Sequence, residues 1–234
     1  MQYQIYYCPL ELFDDNQIEL ENPQHHKDYT YSECPVWKHR FSRTYIGYSP
    51  ISFRMGIDGD IVWYTVDDEE EVEVPLSKVK DYYDDDVMYF SPVDMVHSHP
   101  VVQLKFPNTH FWTDFDNEYV WFEMLDHPET SLNNNFIAIG GWWNLGSHPR
   151  TTSLAVKLQD SKGDLCIEKG DPLYRIRFYS DNMNDKFKLT KRDASDNLFD
   201  SYDKRRELLT SDPKFMNQML FDKNARKQCP FHNV

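Results

Sequence analysis

The sequence predicts a mainly β protein: one antiparallel domain over residues 1–189, a jelly roll or double-stranded β-helix, with short C-terminal helices over residues 190–234. Three observations predict it. Short β-branched and aromatic runs bounded by turn residues fill the first 180 residues, several of them alternate apolar with polar, and no long amphipathic helix separates them. That spacing implies antiparallel pairing, because parallel strands need crossover connections of a dozen residues or more.

Residues 2–8 supply the first strand. The best local signal follows at Phe53-Arg54-Met55-Gly56-Ile57, Asp58-Gly59-Asp60 and Ile61-Val62-Trp63-Tyr64-Thr65-Val66, where Asp-Gly between two apolar runs predicts a hairpin. Asp67-Asp68-Glu69-Glu70-Glu71 and Asp84-Asp85-Asp86 are runs of like charge that repel one another and predict solvated loops. Further strands are expected at residues 101–106, 118–124, 136–142 and 173–179. A second hairpin is expected over residues 153–167, with Leu154, Val156 and Leu158 alternating before Asp160-Ser161-Lys162-Gly163-Asp164 reverses the chain.

The tail differs in character. Residues 190–234 carry nine Lys/Arg and seven Asp/Glu, a net +2, whereas residues 1–189 carry sixteen against thirty-two, a net −16. Leu198, Phe199, Tyr202, Leu208 and Leu209 lie near helical spacing. Ser211-Asp212-Pro213 then supplies capping residues for a helix bearing Phe215, Met216, Met219, Leu220 and Phe221. Two coverings are open for these stripes: the sheet of the same chain, or a neighbouring subunit in a homo-oligomer.

Composition excludes several classes. Of 234 residues, 40% are hydrophobic and 27% charged, enough for a core and too apolar for a disordered chain. No apolar run approaches the roughly 18 residues of a membrane span. A net charge of −14 argues against a nucleic acid or an anionic membrane as partner, since both need clustered positive charge. The N-terminus lacks the basic and apolar regions of a secretory signal, so a cytoplasmic location is expected. Cys8, Cys34, Cys166 and Cys229 are far apart without CxxC spacing, and reduced thiols are expected.

Three clusters carry candidate chemistry. In Val96-His97-Ser98-His99-Pro100, an extended backbone would place His97 and His99 on one side, with Gln103 in the same parity and His110 available from a returning strand. This pattern resembles the first motif of metal-binding cupins. The resemblance implies a divalent transition metal, Fe, Mn, Ni or Zn, and an oxygenase, isomerase or hydrolase activity. Gln103 stands where cupins have a carboxylate, and neither the leading glycine nor the second cupin motif is present. Hydrogen-bonded or surface histidines are the competing reading.

The second cluster is Gly140-Gly141-Trp142-Trp143-Asn144-Leu145-Gly146-Ser147-His148-Pro149-Arg150. Trp142 and Trp143, with Arg150, could form a stacking platform for a sugar or a base; core tryptophans at a strand end are the alternative. The third is Gly170-Asp171-Pro172, a turn that launches a strand. It is a device of jelly rolls and of dUTPase-like β-clip barrels alike, and the β-clip is the alternative fold. The serine-rich phosphate motif and uracil hairpin of dUTPases are not found, and GxSxG, GxxxxGK[ST] and GxGxxG are absent.

Taken in order, Ser98-His99, Phe111-Trp112-Thr113, Gly140-Gly141-Trp142-Trp143, an alternating strand and the Gly-Asp-Pro turn resemble an uncharacterised family of bacterial and phage proteins over residues 34–180. The resemblance implies a jelly-roll, cupin-like β fold and a phage-related protein, for which the host cytoplasm would be the location. It transfers no catalytic residue. With 36 aromatic residues, a binding or assembly role is the leading expectation, ahead of the metal-dependent enzyme.

Overall fold

Strand-forming sequence carries nearly every element. The structure, a computed structural model, describes residues 1–9, 18–20, 35–78, 88–90, 101–113, 120–145, 150–158, 164–193 and 195. In chain order these form β1 (Gln2–Pro9), β2 (Ile18–Leu20), α1 (Pro35–Phe41), β3 (Thr44–Tyr48), β4 (Phe53–Asp58), β5 (Ile61–Val66) and β6 (Val72–Pro75). There follow β7 (Met88–Phe90), β8 (Val101–Thr113), β9 (Trp121–Asp126), α2 (Pro128–Asn133), β10 (Phe136–Ile139) and β11 (Gly141–Asn144). The last are β12 (Arg150–Leu158), β13 (Leu165–Ile167), β14 (Pro172–Tyr179) and β15 (Lys186–Lys191). The protein is mainly β, as its sequence predicts. Of the stretch 190–234 expected to be helical, Thr190 and Lys191 instead close β15, residues 192, 193 and 195 are not helical, and the rest lies outside the described residues.

The strands form three sheets. The first has the order β10-β12-β8-β1-β15 with β7 also on β8, the second β11-β9-β14-β3-β2, and the third β13-β4-β5-β6. Pairing among the described strands is antiparallel except between β1 and β15, which run parallel from Gln2↔Lys186 to Tyr7↔Lys191. Alternation sets the faces: in β1, Ile5 and Tyr7 join the main core, while Tyr6 and Cys8 turn to the other side and cluster with Trp112.

Aromatic rings tie the sheets together. Phe111 of the first sheet lies 5.0 Å from Phe122 of the second, Phe178 of the second 5.9 Å from Phe187 of the first, and Phe53 of the third 5.4 Å from Phe106 of the first. Each such side chain, buried from water, contributes about 1.5–3 kcal/mol.

The Asp-Gly hairpin forms with its loop one residue later than the dipeptide suggests. Asp58 pairs with Ile61, so Gly59-Asp60 make the two-residue turn, and Gly59 at φ +56° takes the first central position that only glycine fills without strain. Asp67 to Glu71 form the expected exposed loop after β5. The expected hairpin over residues 153–167 does not form: β12 pairs with β8 and β10, whereas β13 pairs with β4 of the third sheet. Leu165 and Ile167 are fully buried, against Met55 and Phe53 in register. Alternation reports that a strand has a dry face and says nothing about which edge it joins.

Residues 136–142 are likewise two strands in two sheets, β10 in the first and β11 in the second, broken at Gly140. The Gly-Asp-Pro turn is as expected. Asp171 Oδ2 accepts from the Glu168 backbone N–H at 2.9 Å, and the Ser49 N–H donates to the Asp171 carbonyl at 2.8 Å, fixing the start of β14 against the end of β3.

At the head of β15, the buried Asp185 carboxylate accepts from the Met1 ammonium at 2.8 Å, and the Arg43 guanidinium donates to the Met183 and Asp185 carbonyls. The ammonium contact, helped by hydrogen bonds from Ser180 and Tyr3, holds the Asp185 carboxyl below its ordinary range. A carboxyl depressed on folding stabilises the protein above its unfolded pKa, and that contribution is lost as pH falls through the folded value. Asp185→Asn is therefore expected to lower Tm at neutral pH, with the gap from wild type closing in strong acid. Melts across pH check this, and a gap independent of pH would contradict it.

Candidate ligand-binding site

The alternation of β9 and β14 builds one wet face on the second sheet. Phe122, Met124, Ile176 and Phe178 turn into the core, all buried, which sends Trp121, Glu123, Arg177 and Tyr179 outward. Register brings these together: Tyr179 lies opposite Trp121, and Arg177 opposite Glu123. The edge strand β11 adds Trp142 directly opposite Glu123, with Asn144 opposite Trp121.

Gly140 sets that edge. A Cβ there would lie 2.2 Å from the Met124 carbonyl oxygen, so only a glycine lets the chain pass this close as it leaves β10 for β11.

The outcome is a groove of about 320 Å³ lined by Trp121, Glu123, Trp142 and Tyr179. The two indoles are diagonal neighbours across β9 and β11, 4.8 Å between centroids with planes at 52°. Trp142 is 68% exposed, an unusual state for the largest apolar side chain.

Beside the indoles runs a hydrogen-bonded row. The Tyr179 hydroxyl donates to Glu123 Oε2, Arg177 Nη1 approaches the same oxygen at 3.4 Å, and Arg177 Nη1 donates to the Tyr179 oxygen at 2.9 Å. Arg177 Nε donates to Thr44 Oγ1 at 3.1 Å, and that hydroxyl donates in turn to the Arg40 carbonyl at the end of α1. Burial, with the Glu123 contact, pushes the Tyr179 phenol above its ordinary value, so it remains a neutral donor. Charge in the row is balanced: one carboxylate, one guanidinium.

Of the residues singled out in the sequence, Trp142 is therefore in the groove. Trp143 and Arg150 are placed by their backbones alone: Trp143 pairs with Phe122 in β9, and Arg150 opens β12 opposite Phe111 in the first sheet. Arg150 thus belongs to a different sheet from Trp142. Trp121, Glu123, Arg177 and Tyr179 were not identified from sequence. Their signal was present, since Trp121 and Glu123 share one parity in their strand, as do Arg177 and Tyr179 in theirs; the pairing of the two strands was not.

His97 and His99 lie outside the described residues. Gln103 and His110 both lie on β8, in register with Ala155 and Thr151 of β12. Between Thr109 and Leu104, β8 holds three more residues than β12 does between their partners Thr152 and Leu154, and this irregularity reverses the parity expected from simple alternation. The two side chains thus share a face, yet their partners are four residues apart, about 13 Å along the strand. Each is engaged locally: Ser153 Oγ donates to Gln103 Oε1 at 3.0 Å, and Thr151 Oγ1 meets His110 Nδ1 at 2.7 Å. The structure does not bring Gln103 and His110 to a common point. Among the described residues, no group of three or more His, Cys, Asp or Glu side chains could hold a metal ion.

No family model and no curated protein matches the chain. Among solved structures, a point mutant of the dUTPase of Staphylococcus bacteriophage 80alpha is similar at 9% identity and a TM-score of 0.33, over 70% of this chain and 82% of that one. A mutant dUTPase from phage phi11 of S. aureus is similar at 9% identity and 0.33, over 70% and 90%. A further 80alpha dUTPase mutant reaches 7% identity and 0.27, over 42% and 85%. These likenesses fall below the level at which a shared fold is implied. No helix among the described residues is long and apolar enough to cross a membrane.

Proposed function

We propose that the protein is a binding protein that holds a small ligand in the groove between β9, β11 and β14 by stacking on indole and hydrogen bonding to the Glu123–Arg177–Tyr179 row. The observation that carries this reading is Trp142, 68% exposed yet seated against Trp121 and directly beside a charge-paired polar row. An aromatic side chain left wet in a concave site is apolar area reserved for a partner. The lining favours recognition over bond-breaking. It contains one carboxylate, already bonded to two neighbours, whereas glycoside hydrolysis uses a pair flanking the scissile bond.

Truncating Trp142 separates binding from folding. Because this side chain is mostly solvated, Trp142→Ala is expected to leave stability within about 1 kcal/mol of wild type. Binding, by contrast, is expected to weaken by at least about tenfold, as for a central aromatic anchor. Saturation-transfer NMR on mixtures of oligosaccharides, nucleosides and quaternary amines reads this directly. Ligand signals equally strong in wild type and variant would overturn the proposal.

A further inference from the structure

Resting on the reading of the groove as a binding site, we infer that its ligand is a neutral carbohydrate, stacked by a pyranose face on Trp142 and hydrogen-bonded through adjacent hydroxyls to Glu123 and Tyr179. Geometry decides against a sandwiched flat ring. Two indoles whose centroids are 4.8 Å apart and inclined at 52° touch one another, so nothing slides between them, and they present an angled wall instead. A sugar ring suits such a wall, because it is puckered and lays a patch of C–H groups on one exposed aromatic face while its hydroxyls project outward at the rim.

The polar row matches those hydroxyls. Each sugar hydroxyl carries one proton to donate and needs an acceptor for it, while its own lone pairs can stay hydrated at an open groove. Glu123 Oε2 takes the bonds from Tyr179 and Arg177, leaving Oε1 as an acceptor, and the Glu123 side chain is 27% exposed. The Tyr179 oxygen, which donates to Glu123 and accepts from Arg177 Nη1, keeps one lone pair beside it, so the row offers two neighbouring acceptors to the protons of adjacent hydroxyls.

Charge excludes the alternatives. A quaternary ammonium stacked on the indoles would lie beside the Arg177 guanidinium, whose pairing with Glu123 leaves little net negative charge to attract it. A nucleotide would bring phosphate toward Glu123 on a chain of net charge −14. What remains complementary to a charge-balanced aromatic groove is an uncharged polyhydroxylated ligand.

The full chain applied to an array of neutral and acidic glycans, with titration calorimetry on the glycans retained and on adenosine and tetramethylammonium, tests this. Binding of a neutral glycan that changes little from low to high salt and falls at least about tenfold in Trp142→Ala is the expected result. Binding of adenosine or tetramethylammonium that needs Trp142, with no neutral glycan retained, would overturn the carbohydrate assignment while leaving the groove a binding site. A neutral glycan that binds Trp142→Ala as tightly as wild type, or no Trp142-dependent binding by any probe, would overturn both.

Discussion

Replacing Phe178 with Ala is expected to destabilise the fold by about 3–5 kcal/mol, the range for truncating a fully buried aromatic side chain. Phe178 is 0% exposed, and its ring meets Tyr45 and Phe122 nearly edge-on at 5.7 Å and Phe187 at 5.9 Å. Tyr45 and Phe122 flank it within the second sheet, while Phe187 reaches across from β15 of the first. The cavity would therefore open at the joint between two sheets, and neighbours pinned by their own strand pairings cannot collapse into it. For a chain of this size each kcal/mol moves Tm by roughly 2–4 °C, so the melting temperature should fall by roughly 6–20 °C. Phe178→Leu, which refills most of the volume, should recover much of the loss. A thermal melt of Phe178→Ala within two degrees of wild type would show that this ring does not join the sheets.

That joint was only partly legible in the sequence. Alternation along residues 173–179 assigns Leu173 to one face and Arg177 and Tyr179 to the same parity, yet Leu173 is buried while the other two line or adjoin the groove. The irregularity between Pro172 and Tyr174 in the pairing with β3 explains the discrepancy, since an unpaired residue resets which face the strand shows. The same physics defeated simple parity in β8, where extra residues place Gln103 and His110 on one face at a distance. Turn chemistry was the most readable layer: Gly59 and Gly170-Asp171-Pro172 act through their own backbones and need no knowledge of partners. Strand partners were the least readable. Nothing local in Leu165-Cys166-Ile167 distinguishes joining β4 from folding back on β12, because both choices bury the same two side chains. The site follows the same division. Trp142 was visible as an aromatic beside glycines, but Trp121 and Glu123 meet it only through the pairing of β9 with β11, and Arg177 and Tyr179 only through the pairing of β9 with β14, where partners are more than fifty residues apart in sequence.

Gly140→Ala is expected to damage fold and groove together, and this separates it from Trp142→Ala. The new methyl would sit 2.2 Å from the Met124 carbonyl oxygen, well inside van der Waals contact. Met124 cannot retreat cheaply, since it lies in register with Gly141 on one side and Ile176 on the other in the middle strand of three. The displacement therefore falls on β11, which is held on one side only. Relieving such an overpacked contact costs about 1–3 kcal/mol, or roughly 2–12 °C in Tm for a chain of this length. Shifting β11 also slides Trp142 away from Trp121 and Glu123, so ligand affinity should drop at least about tenfold, as in the Trp142 truncation. The paired readout is the test: Trp142→Ala loses affinity with little change in melting, whereas Gly140→Ala loses both. A Gly140→Ala protein that melts and binds like wild type would mean that the close passage between β10 and β9 does not position the groove, and that the indole pair owes its geometry to the side chains alone.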